Sequence, residues 1–364
     1  MSKRPPVLPL LQPGTHPVRR ALAALLAAAA LPLAASCSSS SGGGSAGQAP
    51  IPQVTLRLGF VADVTQTTVL IGIRQKIFAR AIGKSVALRA IGFRTDAAEE
   101  AALEAGELDA AYASTGTILA AVRAKGAAFL RIVSGVTAGG TELVVGPGIA
   151  GPSALKGKAI AVPSADGPQA IALSYWLTRQ HLARPGQVSV VSAGSGASAV
   201  TEFTSGRVAG AWVTAPYDVE MVQAGGKVLA SEASIWPGGQ FAVTNLVVRA
   251  SYLDAHTSTV MSLLQAQVRS NEALHGSPLL VVTAADAELQ AVTGTATPPG
   301  IFASSMSQLT FTNDPIVATL PTEAQRATAG GLPSVTGNLA GLYYLTPLDL
   351  VLRLNGQQPV LQGG

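Results

Sequence analysis

A chain of 364 residues in which 48% of the side chains are hydrophobic and 12% charged can build a large buried core, as one big domain or two ordinary ones, which excludes an intrinsically disordered protein. The formal net charge of +4 comes from scattered Lys and Arg without a basic run, which argues against a nucleic-acid-binding surface.

Lys3, Arg4, Arg19 and Arg20 precede an apolar run from Ala21 to Ala35, broken only by Pro32, and this is the layout of an export signal. At about 15 residues the run is short of the roughly 20 that a membrane-spanning helix needs. The single cysteine follows in Leu33-Ala34-Ala35-Ser36-Cys37. It resembles a bacterial lipobox with Ala34 where Leu is commonest, so Cys37 is the expected site of lipidation and the new N-terminus. Arg19-Arg20 also fits a twin-arginine signal with poor flanks, so two export routes are compatible with the sequence. Residues 38–48, rich in Ser and Gly, predict a flexible tether.

From Val54 onward short apolar runs alternate with amphipathic stretches, the pattern of an α/β domain with parallel strands and crossover helices. Val54 to Phe60 predicts a strand, Gln66 to Ala79 a helix, and Ser85 to Phe93 a second strand. The next helix is expected to start at Asp96 with Glu99 three residues on, a capping-box spacing, and to end at Gly106. A strand from Asp109 to Ser114 follows.

This plan recurs. Gly106-Glu-Leu-Asp-Ala-Ala-Tyr-Ala-Ser-Thr115 has a counterpart in Gly206-Arg-Val-Ala-Gly-Ala-Trp-Val-Thr-Ala215. In each, a glycine closes a helix, a short strand carries an aromatic residue, and hydroxyl residues stand at its carboxyl end. Two such units imply two similar lobes. Ligands of open α/β sheets bind beyond the carboxyl ends of strands, so Ser114, Thr115 and Thr214 are candidate site residues. Capping of the next helix is the competing role for such hydroxyls.

The segment Gly146-Pro147-Gly148-Ile149-Ala150-Gly151 matches G-x-G-x-x-G. A dinucleotide fingerprint must open a long helix, and Pro152 followed by Lys156-Gly157 leaves room for barely one turn, so a loop or hinge is expected. Phe241 to Ala250 predicts a strand returning to the first lobe. Helices are expected over Thr257 to His275, Ala284 to Val292, Pro321 to Thr328 and Pro347 to Leu354. The resulting division is a signal peptide (1–36), a lipidated cysteine with its tether (37–50), lobe I (51–147), lobe II (148–240), and a return to lobe I with C-terminal helices (241–364). Hinges are expected near Val145 to Gly151 and Gly239 to Phe241.

Four segments, Leu56-Arg-Leu-Gly-Phe60, Ala105-Gly-Glu-Leu-Asp-Ala-Ala-Tyr112, Leu155-Lys-Gly-Lys-Ala-Ile-Ala-Val162 and Ser205-Gly-Arg-Val-Ala-Gly-Ala-Trp-Val213 running into Ala215-Pro216-Tyr217, resemble in order and spacing the nitrate/sulfonate/taurine and thiamine-precursor group of ABC substrate-binding proteins. Ala209-Gly210 departs from the Asp-Ala usual there, and the resemblance fades after residue 250. It implies a type II periplasmic-binding-protein-like fold: two α/β lobes, a cleft between them and a helical C-terminal region. It also implies a monomer that binds a small molecule (sulfonate, nitrate, taurine or pyrimidine-like) and works with an ABC permease, held by its lipid on the extracytoplasmic face of the membrane, without a cofactor.

The implied cleft is lined by four loops. Thr65 and Gln66 follow the first strand, where a plain N-cap explains Thr65 equally well. Ser114, Thr115 and Gly116 open another helix. Ser164, Asp166 and Gly167 precede Pro168, which suits a first helical position, and Asp166 is either a ligand contact or a cap. Thr214 comes last, with Trp212 and Tyr217 available to stack on a ring, although an aromatic in such a strand is more often core. Arg94 is either the partner of an anionic ligand or a solvated surface residue.

The rival classes are an enzyme on the same fold, of thiamine-pyrimidine or menaquinone-pathway type, and an extracellular sensor. His181, His256 and His275 form no local metal pair. Gly194-Ser195-Gly196 does not fit a nucleophile elbow. No catalytic or metal site is therefore expected, and a sensor would need a signalling domain or second span that is not expected in this chain.

Overall fold

The structure is a computed structural model and describes residues 54–360 apart from 277, 295, 296, 299 and 336; the expected signal, Cys37 and the tether lie outside the described residues. Strand β1 (Val54–Val61) is apolar along most of its length because it lies inside a sheet covered on both faces. A 3-10 turn (Val64–Gln66) leads to α1 (Thr67–Arg74) and α2 (Ile77–Ile82), followed by β2 (Val86–Phe93), α3 (Asp96–Glu104), β3 (Ala110–Ser114), α4 (Thr115–Lys125) and β4 (Leu130–Gly139). The chain then builds β5 (Thr141–Val145), β6 (Lys158–Val162), α5 (Pro168–Arg179), β7 (Val188–Ser192), α6 (Gly196–Thr204), β8 (Gly210–Thr214), α7 (Tyr217–Gln223) and β9 (Lys227–Ser231). It returns through β10 (Ala242–Arg249), α8 (Ala250–Ala255), α9 (Thr257–Gly276), α10 (Pro278–Thr293), α11 (Ile301–Gln308), β11 (Leu309–Phe311), α12 (Thr319–Ala329) and α13 (Thr346–Leu354).

The strands form two sheets, in the orders β11-β4-β10-β3-β1-β2 and β7-β6-β8-β5-β9. In the first, β1 runs parallel to β2 and β3 while β10 is antiparallel to β3 and β4. In the second, β6 is parallel to β7 and β8, and β5 is antiparallel to β8 and β9. This is a two-lobed α/β fold with a helical C-terminal region. Helix α9 packs along α1, α2 and α13 on one side of the first sheet, while α3 and α4 pack beside β3. No helix among the described residues is long and apolar enough to cross a membrane.

The helix expected over Gln66–Ala79 is broken. Lys76 takes a left-handed conformation, φ 57°, and the turn folds Phe78 back against α1, where it is 1% exposed. Gly72 makes room for that ring, since a Cβ at Gly72 would collide with it and lie 2.6 Å from Ser270 Oγ. Gly72→Ala is therefore expected to destabilise the protein by about 1–3 kcal/mol through overpacking, although alanine alone favours a helix by about 1 kcal/mol. Urea denaturation reads the sign; a more stable variant would show that the ring yields freely.

The repeated plan has a structural basis. Gly106 and Gly206 both take φ 75° after α3 and α6, a conformation open to glycine without a side-chain clash. Tyr112 and Trp212 then fall at equivalent buried positions of β3 and β8. The passage between sheets differs from the expected division at 147–148. Strand β5 belongs to the second sheet, so the chain crosses at Gly139–Gly140, both with positive φ. The return crossing precedes β10, and the two crossings touch where Gly139 N–H donates to Phe241 C=O at 3.3 Å; Ala215 N–H, just past β8, donates to Gly140 C=O at 2.9 Å. Gly146–Gly151 lies at the opposite end of β8 from Thr214, because Val145 pairs with Gly210 and Thr141 with Thr214. The four-residue 3-10 turn Pro152–Leu155 follows it, so no helix N-terminus is built there for a dinucleotide.

Candidate functional site

The carboxyl ends of β1 and β3 in one sheet and of β6 and β8 in the other each lead, directly at β3 and through a short loop elsewhere, into a helix or 3-10 turn. Those loops meet between the sheets. A Cβ built at Gly116, on the first turn of α4, would lie 2.8 Å from Cδ of Pro168, the first residue of α5. Beside them Arg123 of α4 pairs with Asp166 at 3.3 Å. Both side chains are more than a third exposed, so this contact contributes at most about 1 kcal/mol.

On the first lobe, Asp63 caps the turn after β1 by accepting from Thr65 N–H at 2.8 Å and Thr65 Oγ1 at 2.6 Å. Thr65 is thus neither the cap nor a free hydroxyl: it is 5% exposed, and its carbonyl accepts from Thr137. Gln66 is buried too, with Oε1 accepting from Val61 N–H at 2.9 Å. Both hold the loop in shape. Ser114 caps α4 by accepting from Thr117 N–H at 3.1 Å. Thr115 is 1% exposed and donates to Glu323 of α12 at 3.1 Å, which ties α4 to the C-terminal region.

On the second lobe, Ser164 donates to Asp166 at 2.7 Å, and both are exposed. Asp166 does not cap α5; Gly167 stands at that position without a side-chain bond, and Pro168 takes the first helical position as expected. Thr214 is half-buried and meets Thr141 Oγ1 at 2.9 Å while accepting from Gln169 Nε2 at 3.0 Å. Tyr217 opens α7, and its ring lies against Gly196 at the start of α6. Trp212 faces the core: it is fully buried, edge-on to Trp176, and its indole N–H donates to Glu232 at 2.8 Å. A side chain committed in this way has no face left for a ligand. Arg94 donates to the Thr293 carbonyl at 2.8 Å on the surface.

Other groups at this end of the first lobe escape sequence inspection. Asp96 does not cap α3. Thr95 does, accepting from Ala98 N–H at 3.2 Å, which shifts Asp96 to the first helical residue and turns Glu99 inward. Burial pushes the Asp63 carboxyl up to about 7, with the neighbouring Asp96 adding to the rise against the Thr65 bonds. The surroundings also raise Asp96, against a bond from Ser114, although its side chain remains open to solvent, as befits the wall of a wet cleft. Glu99 rises well above the usual range, first through burial and then through Asp96 and Asp63. Tyr217 is raised by burial and then by Asp63, Glu220 and Asp96, which places the phenol of the second lobe within the field of the first lobe's carboxylates.

Helices of the C-terminal region flank these loops. α11 touches both the turn Val64–Gln66 and α7. α12 carries Glu323 to Thr115 and Arg326 into the second lobe, where its guanidinium stands 4.1 Å from the ring centres of both Tyr175 and Trp236.

Two lobes that meet through strand ends and helix-opening loops define a two-lobed α/β fold with a cleft between the lobes, and solved structures share it. The alkanesulfonate-binding protein SsuA from Xanthomonas axonopodis pv. citri, bound to MOPS, superposes with a TM-score of 0.67 at 16% identity, covering 80% of this chain and 99% of that one. The ligand-binding component of an ABC-type import system from Staphylococcus aureus, with zinc bound, gives 0.67 at 14% identity over 83% of this chain and 100% of the other. The periplasmic nitrate-binding protein NrtA from Synechocystis PCC 6803 gives 0.65 at 13% identity, covering 83% and 89%. At these identities the likeness establishes the fold. Among curated proteins none matches the chain. The model of the NMT1-like family matches residues 49–279, and the chain belongs to that family.

Proposed function

We propose that the chain is an extracytoplasmic solute-binding lipoprotein, anchored through Cys37, that captures a small molecule between its lobes and delivers it to an ABC permease as a monomer. The observation that carries this reading is the juxtaposition of Gly116 with Pro168, which brings loops from two separate sheets together around polar side chains. Family membership and neighbours that bind sulfonate or nitrate support it. Ligand capture works by hinge closure about the paired crossings at Gly139–Gly140 and Phe241. Sulfonate, nitrate, taurine and pyrimidine-like molecules are the starting set of solutes.

The test is a thermal-shift screen of the full chain in detergent against that set. A solute at a hundred times its dissociation constant stabilises the fold by about 2.7 kcal/mol. Thr214→Ala removes the acceptor that holds Gln169 and is expected to weaken a hit tenfold or more. Thr115→Ala instead strips the buried Glu323 of a donor and lowers the melting temperature of the unliganded protein. A hit equally tight in Thr214→Ala would place the solute elsewhere.

A further inference from the structure

Glu99 is 0% exposed and neither of its carboxylate oxygens has a hydrogen-bond partner. Buried polar groups are paired as a rule, so an orphaned carboxylate calls for an explanation. Its place supplies one. Side chains on a helix lean toward the helix N-terminus, and Glu99 sits one turn into α3, so its carboxylate is carried toward Asp96 and the carboxyl end of β1. There Oε1 lies 3.3 Å from the position of a Cβ on Gly59. Asp63 stands on the next loop, close enough to Asp96 and Glu99 for each to feel its charge or add to it.

The groups that bear on this spot are Asp63 and Thr65 from the turn after β1, Asp96, Glu99 and Glu100 from α3, Ser114 from β3, and Tyr217 and Glu220 from α7. The nearby cation is Arg123 of α4, which acts on Glu100 and is paired with Asp166. Ion pairs join Arg57 and Arg249 to Asp109, Arg123 to Asp166 and Arg207 to Glu202, and none of these reaches the three acids. Among the described residues no group of His, Cys, Asp and Glu is arranged to hold a metal ion. Carboxylates gathered without a metal geometry, with the Tyr217 phenol of the second lobe within their field, fit a charged nitrogen with hydrogen-bond donors.

We infer that the cleft takes an organic cation, an alkylammonium or guanidinium group seated against Asp63, Asp96 and Glu99 with Tyr217 closing over it from the second lobe. This rests on the solute-binding reading and names the class of solute, in place of a sulfonate or nitrate that would meet the acids unscreened. The Asp63 carboxyl, raised to about 7, and the Glu99 carboxyl, raised well above its usual range, must ionise for the cation to be held against them, so binding releases protons and strengthens as the pH rises through about 7 and beyond.

Isothermal titration of the full chain in detergent with putrescine, agmatine, L-arginine and choline, set against ethanesulfonate and nitrate, tests the inference at pH 6 and pH 8. At least one cation is expected to bind and neither anion, with affinity about tenfold or more higher at pH 8, the ionisation of Asp63 near 7 setting the lower bound. Asp96→Asn and Glu99→Gln are each expected to weaken that cation tenfold or more. Their unliganded melting temperatures should stay close to wild type, because the Glu99 carboxyl has no hydrogen-bond partner to lose and the Asp96 side chain is open to solvent. An anion that binds while the cations stay silent would overturn the cationic class and leave the solute-binding reading standing. A cation whose affinity is the same in both amide variants and at both pH values would also overturn it. Silence from cations and anions alike would count against both.

Discussion

Asp109→Ala is expected to lower the free energy of unfolding by about 3 kcal/mol. Asp109 sits just before β3 and is nearly buried, its side chain 5% exposed. One oxygen accepts from Arg57 N–H and Arg57 Nε at 2.9 Å each, and the other accepts from Arg57 and Arg249 guanidinium nitrogens at 2.7 Å. The carboxylate thereby cross-braces β1, β3 and β10, three adjacent strands, at the end of the sheet away from the cleft. Removing it strands two guanidinium groups, and the estimate sits at the low end for a buried pair because Arg57 is 34% exposed. Burial alone would raise the Asp109 carboxyl; the arginine bonds outweigh it and hold it below its ordinary 3.8. A depressed carboxyl stabilises the fold fully above the unfolded value and loses that contribution as the pH falls through the folded one. The gap between wild type and variant should therefore be full at pH 7 and narrow below about pH 4. Denaturation at pH 7 and at pH 3 measures both points. A loss under about 1 kcal/mol at neutral pH would mean that solvent replaces the carboxylate with little penalty.

What could be seen in the sequence was set by local chemistry. β1, β2 and β3 follow apolar runs bounded by turn residues, and Gly106 and Gly206 mark helix ends because the left-handed conformation selects glycine. Those features, with the family resemblance, were enough for a two-lobed α/β fold. Features set by distant partners were hidden. β5 reads as a strand of the first lobe until its pairing with β8 and β9 is known. Phe78 breaks a continuous helical pattern because of its fit over Gly72. α11 and β11 lie in a stretch of Ala, Ser and Thr with little periodicity, and β11 is a strand only through its pairing with β4. The site divides in the same way. Helix-opening loops pointed to Ser114, Thr214 and Tyr217, which stand at the strand ends between the lobes, with Ser114 and Thr214 also bonded to neighbours; Thr65, Gln66 and Thr115 are buried on neighbours, and Trp212 belongs to the core. Asp63, Asp96 and Glu99 went unnoticed because Asp96 and Glu99 have the spacing of a cap. A shift of one residue, with Thr95 as the true cap, releases both carboxylates from that role.

Gly116→Val is expected to weaken solute binding by about two orders of magnitude while leaving the stability of the protein nearly unchanged. Gly116 lies in the first turn of α4, where valine is no worse than glycine for the helix, and its backbone is not left-handed, so a side chain brings no local strain. What a side chain meets is the opposite lobe. Even a Cβ would come within 2.8 Å of Pro168 Cδ, tighter than real contacts allow, and the two further methyls of valine press into the same space. Pro168 cannot swing aside, because its ring is fixed to the backbone at the first position of α5. The cheaper response is rotation about the two crossings, which are joined side by side near Gly139 and Phe241, with α11 and α12 shifting against the second lobe. If that rotation leaves about 1% of molecules able to close, the apparent dissociation constant rises about a hundredfold. X-ray scattering should then show an expanded particle that solute no longer contracts, whereas Gly116→Ala should give a smaller change in the same direction. Wild-type affinity together with an unchanged scattering profile in the valine variant would show that this contact is not where the lobes close.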